Sequence, residues 1–299
     1  MQKIEKLARF IAACNAGSQH CGYAGSTLED IMHDLSDGLA ETSHVLYEGE
    51  EITGAMILDI YDVGGGQQDI EVWGPYYSAH PEEKLRRLFH DLEEAVQASS
   101  IRYVHFFISS ANQPLYEYVS RYLIEKVRAH HHYSLDIAVI AETSCPGGPP
   151  ILQATEPESR WTRQIMELHD RQFPGAILTS EEIREEIENS GDSDYDVCAV
   201  LDDDSFIGYL IVRRNERTHV LHLEYICIRP EARDRGTGKH LIRQLAAIYG
   251  AQGYTRIELD VSEENEAAIR FYGKNGFSRG RIMKHIVIGG GMDRVSQAQ

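Results

Sequence analysis

The sequence repeats itself at a distance of 153 residues, and a chain made of two copies of one unit must fold as two similar units. At that shift Asp69-Ile-Glu-Val-Trp-Gly-Pro75 lies over His222-Leu-Glu-Tyr-Ile-Cys-Ile228. Leu85 to Val96 lies over Gly238 to Tyr249, and both stretches carry apolar residues at helical spacing: Leu85, Leu88, Phe89 and Leu92 in one, Leu241, Ile242, Leu245 and Ile248 in the other. The run Ile101 to Ile108 precedes Asn112 as Tyr254 to Val261 precedes Asn265, and Tyr118 falls on Phe271. Gly54-Ala-Met-Ile-Leu58 and Gly208-Tyr-Leu-Ile-Val212 match with a one-residue slip. Few residues are identical, so the order and spacing of elements carry the inference. Ser144-Cys-Pro-Gly-Gly-Pro-Pro150 can be neither helix nor central strand, and it sets the boundary between the copies. The fold class expected is α/β (α+β), with two tandem units, each a mixed twisted sheet flanked by helices.

Around the repeat the local signals are ordinary. Ile4, Leu7, Ala8, Ile11 and Ala12 make one face of an N-terminal helix, and no basic-then-apolar secretion signal precedes it. The second copy opens with a helix over about 159–172 and the loop Phe173 to Ser180. Thr179 or Ser180 caps the next helix, with Glu181 and Glu182 in its first turn. Gly64-Gly-Gly66 and Asp202-Asp-Asp204 read as hairpin turns, and residues 281–288 as a last strand. From Gly289 the periodicity ends, so 289–299 is expected to be a flexible tail.

Charge excludes some partners. The net charge of −18 argues against nucleic acid and against an anionic membrane surface, and no stretch is apolar enough to span a bilayer. The excess is uneven, with 10 Lys+Arg against 22 Asp+Glu up to Pro150 and 19 against 25 after it. Solubility explains it; attraction of a cationic substrate is the sharper reading. Five cysteines (Cys14, Cys21, Cys145, Cys198 and Cys227) without CxxC spacing fit neither a disulfide framework nor a zinc site. A reducing, cytoplasmic home is expected. His130-His-His132 has no carboxylate at ligand spacing in sequence and is expected at a surface or strand end. No metal is expected.

Chemistry concentrates after Val220 to Ile228, an apolar run that reads as a buried strand. Arg233-Asp-Arg-Gly-Thr-Gly-Lys239 then opens a helix, the strand–turn–helix arrangement that turns free backbone N–H groups toward a phosphate. It is not a P-loop, because Arg233 and His240 stand where Gly and Ser or Thr are needed. It is not the dinucleotide fingerprint, because Leu241 replaces the third glycine. The first copy has His80-Pro-Glu-Glu-Lys-Leu85 here. It has lost the glycines, gained a proline and placed two carboxylates where an anion would sit, so it should not bind what the second copy binds.

Arg233-x-x-Gly236-x-Gly238, followed by Asn265-Glu-Ala-Ala-Ile-Arg-Phe-Tyr-Gly-Lys-Asn-Gly-Phe277, resembles the GNAT superfamily of N-acetyltransferases over nearly the whole second copy. Gly273, where that family often has Glu, is a departure. The resemblance implies a degenerate GNAT-like domain at 1–143, a linker at 144–150 and the N-acetyltransferase domain at 151–288, as in tandem members. It implies acetyl-CoA as donor and an amine of a small molecule or peptide as acceptor, in a monomer or homodimer. Pyrophosphate would rest on the backbone of Arg233, Asp234, Arg235, Gly236, Thr237, Gly238 and Lys239. Pantetheine would pair like an extra strand with Ile226, Cys227 and Ile228, and Asn265 would touch the same arm.

An alkylammonium must lose a proton before it attacks a thioester. Alternation puts His222 and Glu224 on one face of their strand, and relatives often place the base there; Glu224 is the first candidate and His222 the second. Asp69 and Glu71 hold those positions in the first copy, so a carboxylate there does not by itself mean catalysis. Tyr272 matches the family's general acid for the departing thiolate, and a strand N–H near Ile226 would hold the oxyanion. Cys227 is expected as a buried strand residue, not a nucleophile. By analogy Phe173 to Leu178 would line the acceptor pocket, whose apolar cast conflicts with the acidic balance of the chain. A sensor that holds acyl-CoA without turnover is the alternative from another class.

Overall fold

The computed structural model describes residues 2–25, 27–141, 149–176, 178–233 and 235–295. Contacts gather the chain into two compact units, one of residues 1–131, 262–264 and 281–299, the other of residues 132–261 and 265–280.

The first unit begins with α1 (Gln2–Asn15) and α2 (Leu28–Ser36), the latter capped by the Thr27 side chain. Strands β1 (Ser43–Glu48), β2 (Glu51–Gly64) and β3 (Gln67–Tyr77) form an antiparallel meander, and Gly64, Gly65 and Gly66 make its second turn with positive φ. α3 (Pro81–Gln97) crosses over to β4 (Ile101–Ser109), which runs parallel to β3, and α4 (Gln113–Val119) follows. The sheet carries a core on each face. Leu7, Ala8, Ile11, Ile31 and Leu35 pack on Ala55, Ile57, Trp73 and Tyr76. Leu85, Leu88, Phe89 and Leu92 pack on Met56, Leu58, Val72, Val104 and Phe106 on the other side. The apolar stripe of each helix, written at 3.6-residue spacing, thus meets alternate strand residues.

The second unit follows the same plan. β6 (Ile151–Gln153), α6 (Arg160–Gln172) and α7 (Ser180–Glu188) lead into β7 (Tyr195–Asp202), β8 (Ser205–Asn215) and β9 (Val220–Ile228). Thr179 and Glu182 close a capping box on α7, and Asp203 and Asp204 turn the β7–β8 hairpin with positive φ. α8 (Thr237–Gly250), β10 (Arg256–Ser262) and α9 (Glu266–Lys274) complete it, with β10 parallel to β9. Leu241, Leu245, Leu221, Leu223, Ile257 and Leu259 are buried on the α8 face, and Ile165, Leu168, Ile183, Val197, Tyr209 and Ile211 on the α6–α7 face.

The linear boundary expected at 144–150 does not match the division of contacts. β5 (Ile124–Asp136) starts in the first unit, but from His132 it belongs to the second and lies beside β10; α5 (Ile137–Ala141) follows it there. β11 (Ser278–Gly289) does the reverse: from Arg281 it belongs to the first unit, pairing antiparallel with β4 from Met283↔Ser109 to Gly289↔Tyr103. β5 and β11 are themselves equivalent under the 153-residue shift, so each repeat lends its last strand to the other's unit. The physical reason lies in register, since this pairing sends Ile286 and Ile288 into the first unit's core. The expected loose tail is also held as far as Val295. Arg294 ion-pairs with Glu93, Leu123 donates to Asp293 O, and Val295 donates to Arg121 O. Residues 296–299 and linker residues 144–148 lie outside the described residues.

Candidate active site

The site is prepared by a break in strand pairing. β9 and β10 pair only at Val220, Leu221 and His222, opposite Arg256, Ile257 and Glu258. Beyond that point β9 keeps β8 alone as its partner. Arg229 donates its N–H to Ile207 O across that ladder. By alternation Cys227 and Tyr225 also turn toward β8, and the N–H and C=O of Ile226 and Ile228 turn to the opposite edge. An extended ligand chain can pair with that edge.

Between Leu223 and Tyr225 the register against β8 slips by one residue, and Glu224 is the extra residue of a β-bulge. The bulge breaks alternation. Leu221, Leu223, Ile226 and Ile228 face α8, whereas Tyr225 and Cys227 join the α6–α7 face. His222 and Glu224 share one face, as alternation predicts, and stand side by side with the edge that Ile226 offers. Arg213 donates to Glu224 at 3.0 Å, and both sit beside Tyr195, whose phenol is pushed up by burial and then by the Glu224 charge. Cys227 is a buried strand residue, as expected, and burial pushes its thiol up to about 11 against the pull of Arg233.

β9 ends at the N-terminus of α8. Gly236 is the N-cap with φ 79°, no side chain among the described residues caps the helix, and a Cβ on Gly236 would meet nothing within 4 Å. The orphan N–H groups of the first turn therefore face open space, where the helix dipole favours an anion. Gly238 serves a different purpose, since a Cβ there would lie 2.8 Å from the Phe271 ring. Its absence lets the first turn of α8 close on α9. Arg233 turns its guanidinium back to Ile228 O (2.8 Å) and Gln172 (3.3 Å), fixing the strand end. Asp234 lies outside the described residues, and Arg235 is exposed. Thr237 is buried with its hydroxyl on Ala232 O. Lys239, Arg243, Lys274 and Asn275 line a basic cavity beside this turn.

Asn265 caps α9 by accepting from Ala268 N–H at 3.1 Å, which leaves its amide N–H groups for another partner. Tyr272 is 7% exposed, among Tyr133, Phe271 and Phe277, and burial pushes its phenol well above the ordinary range. It is held protonated, as a proton donor must be.

Sequence reasoning missed three features. The first is His169, 1% exposed, which bridges Tyr209 Oη (2.7 Å) and Leu178 O (2.8 Å) and lies edge-on to Tyr225. It ties down the loop from Phe173 to Leu178; Phe173 stacks edge-on against Tyr225 as an apolar wall, and Ile177 lies outside the described residues. The second is His132, for which β10 supplies the missing carboxylates: Glu258 at 3.8 Å and Asp260 at 3.5 Å. The third is the fate of the equivalent gap in the first unit. There β3 and β4 pair as far as Val72 and Phe106, and the chain fills the space beyond. Gly22 donates to Phe107 O and Ser109 donates to His20 O, both at 2.8 Å, and Cys21 bridges Ile108. Gln19 exchanges two hydrogen bonds, each 2.8 Å, with the backbone of Tyr77. Pro81, Glu82 and Glu83 begin α3, so that helix carries its own anions.

This geometry defines a class: two α/β units in which a splayed strand pair runs into a helix N-terminus, open in one unit and self-filled in the other. Residues 162–277 match the acetyltransferase (GNAT) family model. A GCN5-related N-acetyltransferase from Sphaerobacter thermophilus superimposes with TM-score 0.66 at 15% identity, covering 98% of this chain and 95% of that one. A tandem GNAT protein from the clavulanic acid biosynthesis pathway does so with TM-score 0.67 at 12% identity, covering 97% and 95%. An acetyltransferase of the GNAT family from Colwellia psychrerythraea gives 0.54 at 12%, covering 84% and 87%. No curated protein matches the chain in sequence. The second unit thus carries the acetyltransferase (GNAT) family's domain over residues 162–277, and the chain as a whole shares the fold of tandem GNAT proteins. Among the described residues no helix is long and apolar enough to cross a membrane.

Proposed function

We propose that the second unit binds one acyl-CoA, with acetyl-CoA as the donor, and transfers the acyl group to an amine of a small molecule or peptide. One observation carries this reading: the edge of β9 at Ile226, which no described strand pairs, leads past Ile228, whose C=O Arg233 holds, to the N-terminus of α8. A pantetheine arm needs the first and a pyrophosphate needs the second. Acyl-CoA, when bound, supplies an acyl carbon activated as a thioester.

The residues divide the work. The backbone from Arg233 to Lys239 would hold the pyrophosphate, with Lys239, Arg243 and Lys274 beside it for further phosphate charge. Ile226, Cys227 and Ile228 would align the arm, with the Asn265 amide donating to it. The Ile226 N–H, on the open edge, would receive the charge that develops on the acyl oxygen. Glu224 or His222 would take the proton of the amine, and Tyr272 would return one to the thiolate. Arg213 donates to Glu224 and aims it. The acidic balance of the chain supports a cationic acceptor.

The test combines calorimetry with thiol release. One acetyl-CoA is expected to bind per chain, and at least one of spermidine, glucosamine and a peptide with a free N-terminus should release thiol. Binding without release from any amine would favour the sensor reading, and absence of binding would overturn both.

A further inference from the structure

The polar floor of the second unit is assembled from both repeats. His222 on β9 and Glu258 and Asp260 on β10 belong to the second repeat, and His132, at the end of β5, belongs to the first. The four side chains are alike in exposure: 24% for His222, 23% for Glu258, 26% for Asp260 and 25% for His132. They are half-buried, yet within reach of a small acceptor. His222 Nε2 lies 3.9 Å from one Asp260 oxygen, and His132 Nδ1 lies 3.5 Å from the other. Asp260 is thus held between two imidazoles. Arg256 lies on Glu258 at 3.1 Å and Arg213 on Glu224 at 3.0 Å.

The first unit offers a comparison. Under the 153-residue shift His105 answers to Glu258, Asp69 to His222, and His285 to His132. There the relay is closed: Arg102 and His105 donate to Asp69, and His105 Nδ1 meets His285 Nε2 at 3.3 Å. A carboxylate at one end fixes the tautomer of each imidazole in turn. Both units therefore carry a carboxylate–imidazole array on the same sheet positions, and in each the last histidine comes from the exchanged strand.

We propose that Asp260 and His132 are positioning residues for His222 in the acyl transfer. Asp260 holds the His222 proton on Nε2, which leaves Nδ1 as the lone pair that accepts the amine's proton. The amine N–H bond breaks as the Nδ1–H bond forms, and the quarter-exposed imidazolium returns that proton to solvent. Asp260 stabilises the imidazolium while it lasts. His132 fixes Asp260 from the opposite side. A separation of 3.9 Å is too long for a direct hydrogen bond, so a bridging water or the closing of the site on its acceptor completes the contact. This role rests on the acyltransferase reading.

Imidazole nitrogen spectra of the full chain, with His222→Gln to assign the signal, read the tautomer without any acceptor. The expected result is that the neutral form of His222 carries its proton on Nε2, with the two tautomers mixed in Asp260→Asn. Thiol release from acetyl-CoA, with the best amine of the panel, should fall about ten-fold in Asp260→Asn and about two- to five-fold in His132→Gln. The KM for acetyl-CoA should not change in either. A His222 that keeps its Nε2 proton in Asp260→Asn, or an unchanged rate in both variants, overturns the proposal. If the parent releases thiol with no amine, the acyltransferase reading fails, and the tautomer still decides whether Asp260 orients His222.

Discussion

In both units a pair of parallel strands runs together and then parts, and the two gaps are treated differently. Between β3 and β4 the first unit inserts its own residues 20–22, which bond to Phe107 and Ser109 as a strand would. Between β9 and β10 pairing ends at His222 and Glu258, and among the described residues no backbone group bonds to the Ile226 edge. The helices that start at the gaps differ in the same sense. α3 begins with Pro81, Glu82 and Glu83, whereas α8 begins at an uncapped Gly236. On the function proposed for the second unit, a ligand site can be lost without loss of the fold, because the chain supplies the groups that a ligand would have brought. Backbone from the α1–α2 loop stands in for an extended arm, and two carboxylates stand in for a phosphate at the dipole.

The equivalent loop in the second unit shows why it stays out. Residues 19–23 answer to 172–176, and there His169 binds Leu178 O and Tyr209 and draws the loop onto α6 and β8. The position equivalent to His169 is Ala16, which has no side chain to do the same. The fork between an open and a filled site comes down in part to one imidazole.

Making the second unit resemble the first should have the largest effect. Gly236→Asp places a carboxylate in the open space at the start of α8, and acetyl-CoA affinity should fall about a hundred-fold, or ~2.7 kcal/mol. Calorimetry on the full chain checks this, together with Glu83→Gly, the reverse change in the first unit. That second variant should still bind one acetyl-CoA per chain; two would show that the first gap is available after all.

Expelling the inserted segment comes next. A Cβ at Gly22 would lie 2.1 Å from the Phe107 ring, so Gly22→Val must force residues 20–22 and that ring apart. The expected cost is about 2–3 kcal/mol in denaturant unfolding of the first unit. Acetyl-CoA binding to the second should be unaffected. A variant as stable as the parent would mean that the segment contributes little to closing the gap.

Tyr272→Phe tests the open site's chemistry rather than its shape. The ring keeps its place among Tyr133, Phe271 and Phe277, and only the hydroxyl is lost. A fall in kcat of about ten- to a hundred-fold, with the acetyl-CoA Kd unchanged, is the expected result. Equal losses in both would make the hydroxyl a binding group instead.

Much of this contrast was legible in the sequence. The repeat, the hairpin turns, the Thr179 cap and the different loops at Arg233 and His80 are local signals, read from neighbours along the chain. The exchange of β5 and β11 was not legible, because equivalent strands carry equivalent apolar alternation and either could pair with either edge. His132 was undervalued for the same reason: its carboxylates, Glu258 and Asp260, lie far away in sequence. The inserted loop has no periodicity to announce it, since Gly22 is read as a strand residue only once Phe107 is beside it. Alternation singled out Glu224 as a candidate base, and the bulge on which it sits has no signal in the sequence.

The smallest expected effect separates two residues the repeat makes equivalent, Glu71 and Glu224. Glu71 faces Asp59 directly across β2 and β3; burial first, and then the Asp59 charge, push its carboxyl up to about 7. An unfolded glutamate titrates near ~4.3. Between those two values the folded state binds more protons than the unfolded state, so stability falls as pH rises through the window and the loss is complete above pH ~7. Glu71→Gln removes that loss. The variant should melt like its parent at pH 4 and be the more stable at pH 8, by on the order of 1 kcal/mol after discounting for partial exposure. Glu224→Gln should do the opposite at pH 8, losing up to ~1 kcal/mol, because it breaks the ion pair with Arg213. Thermal melts of both variants at the two pH values decide it, and a shift of the same sign for both would mean that the two glutamates differ in sequence position alone.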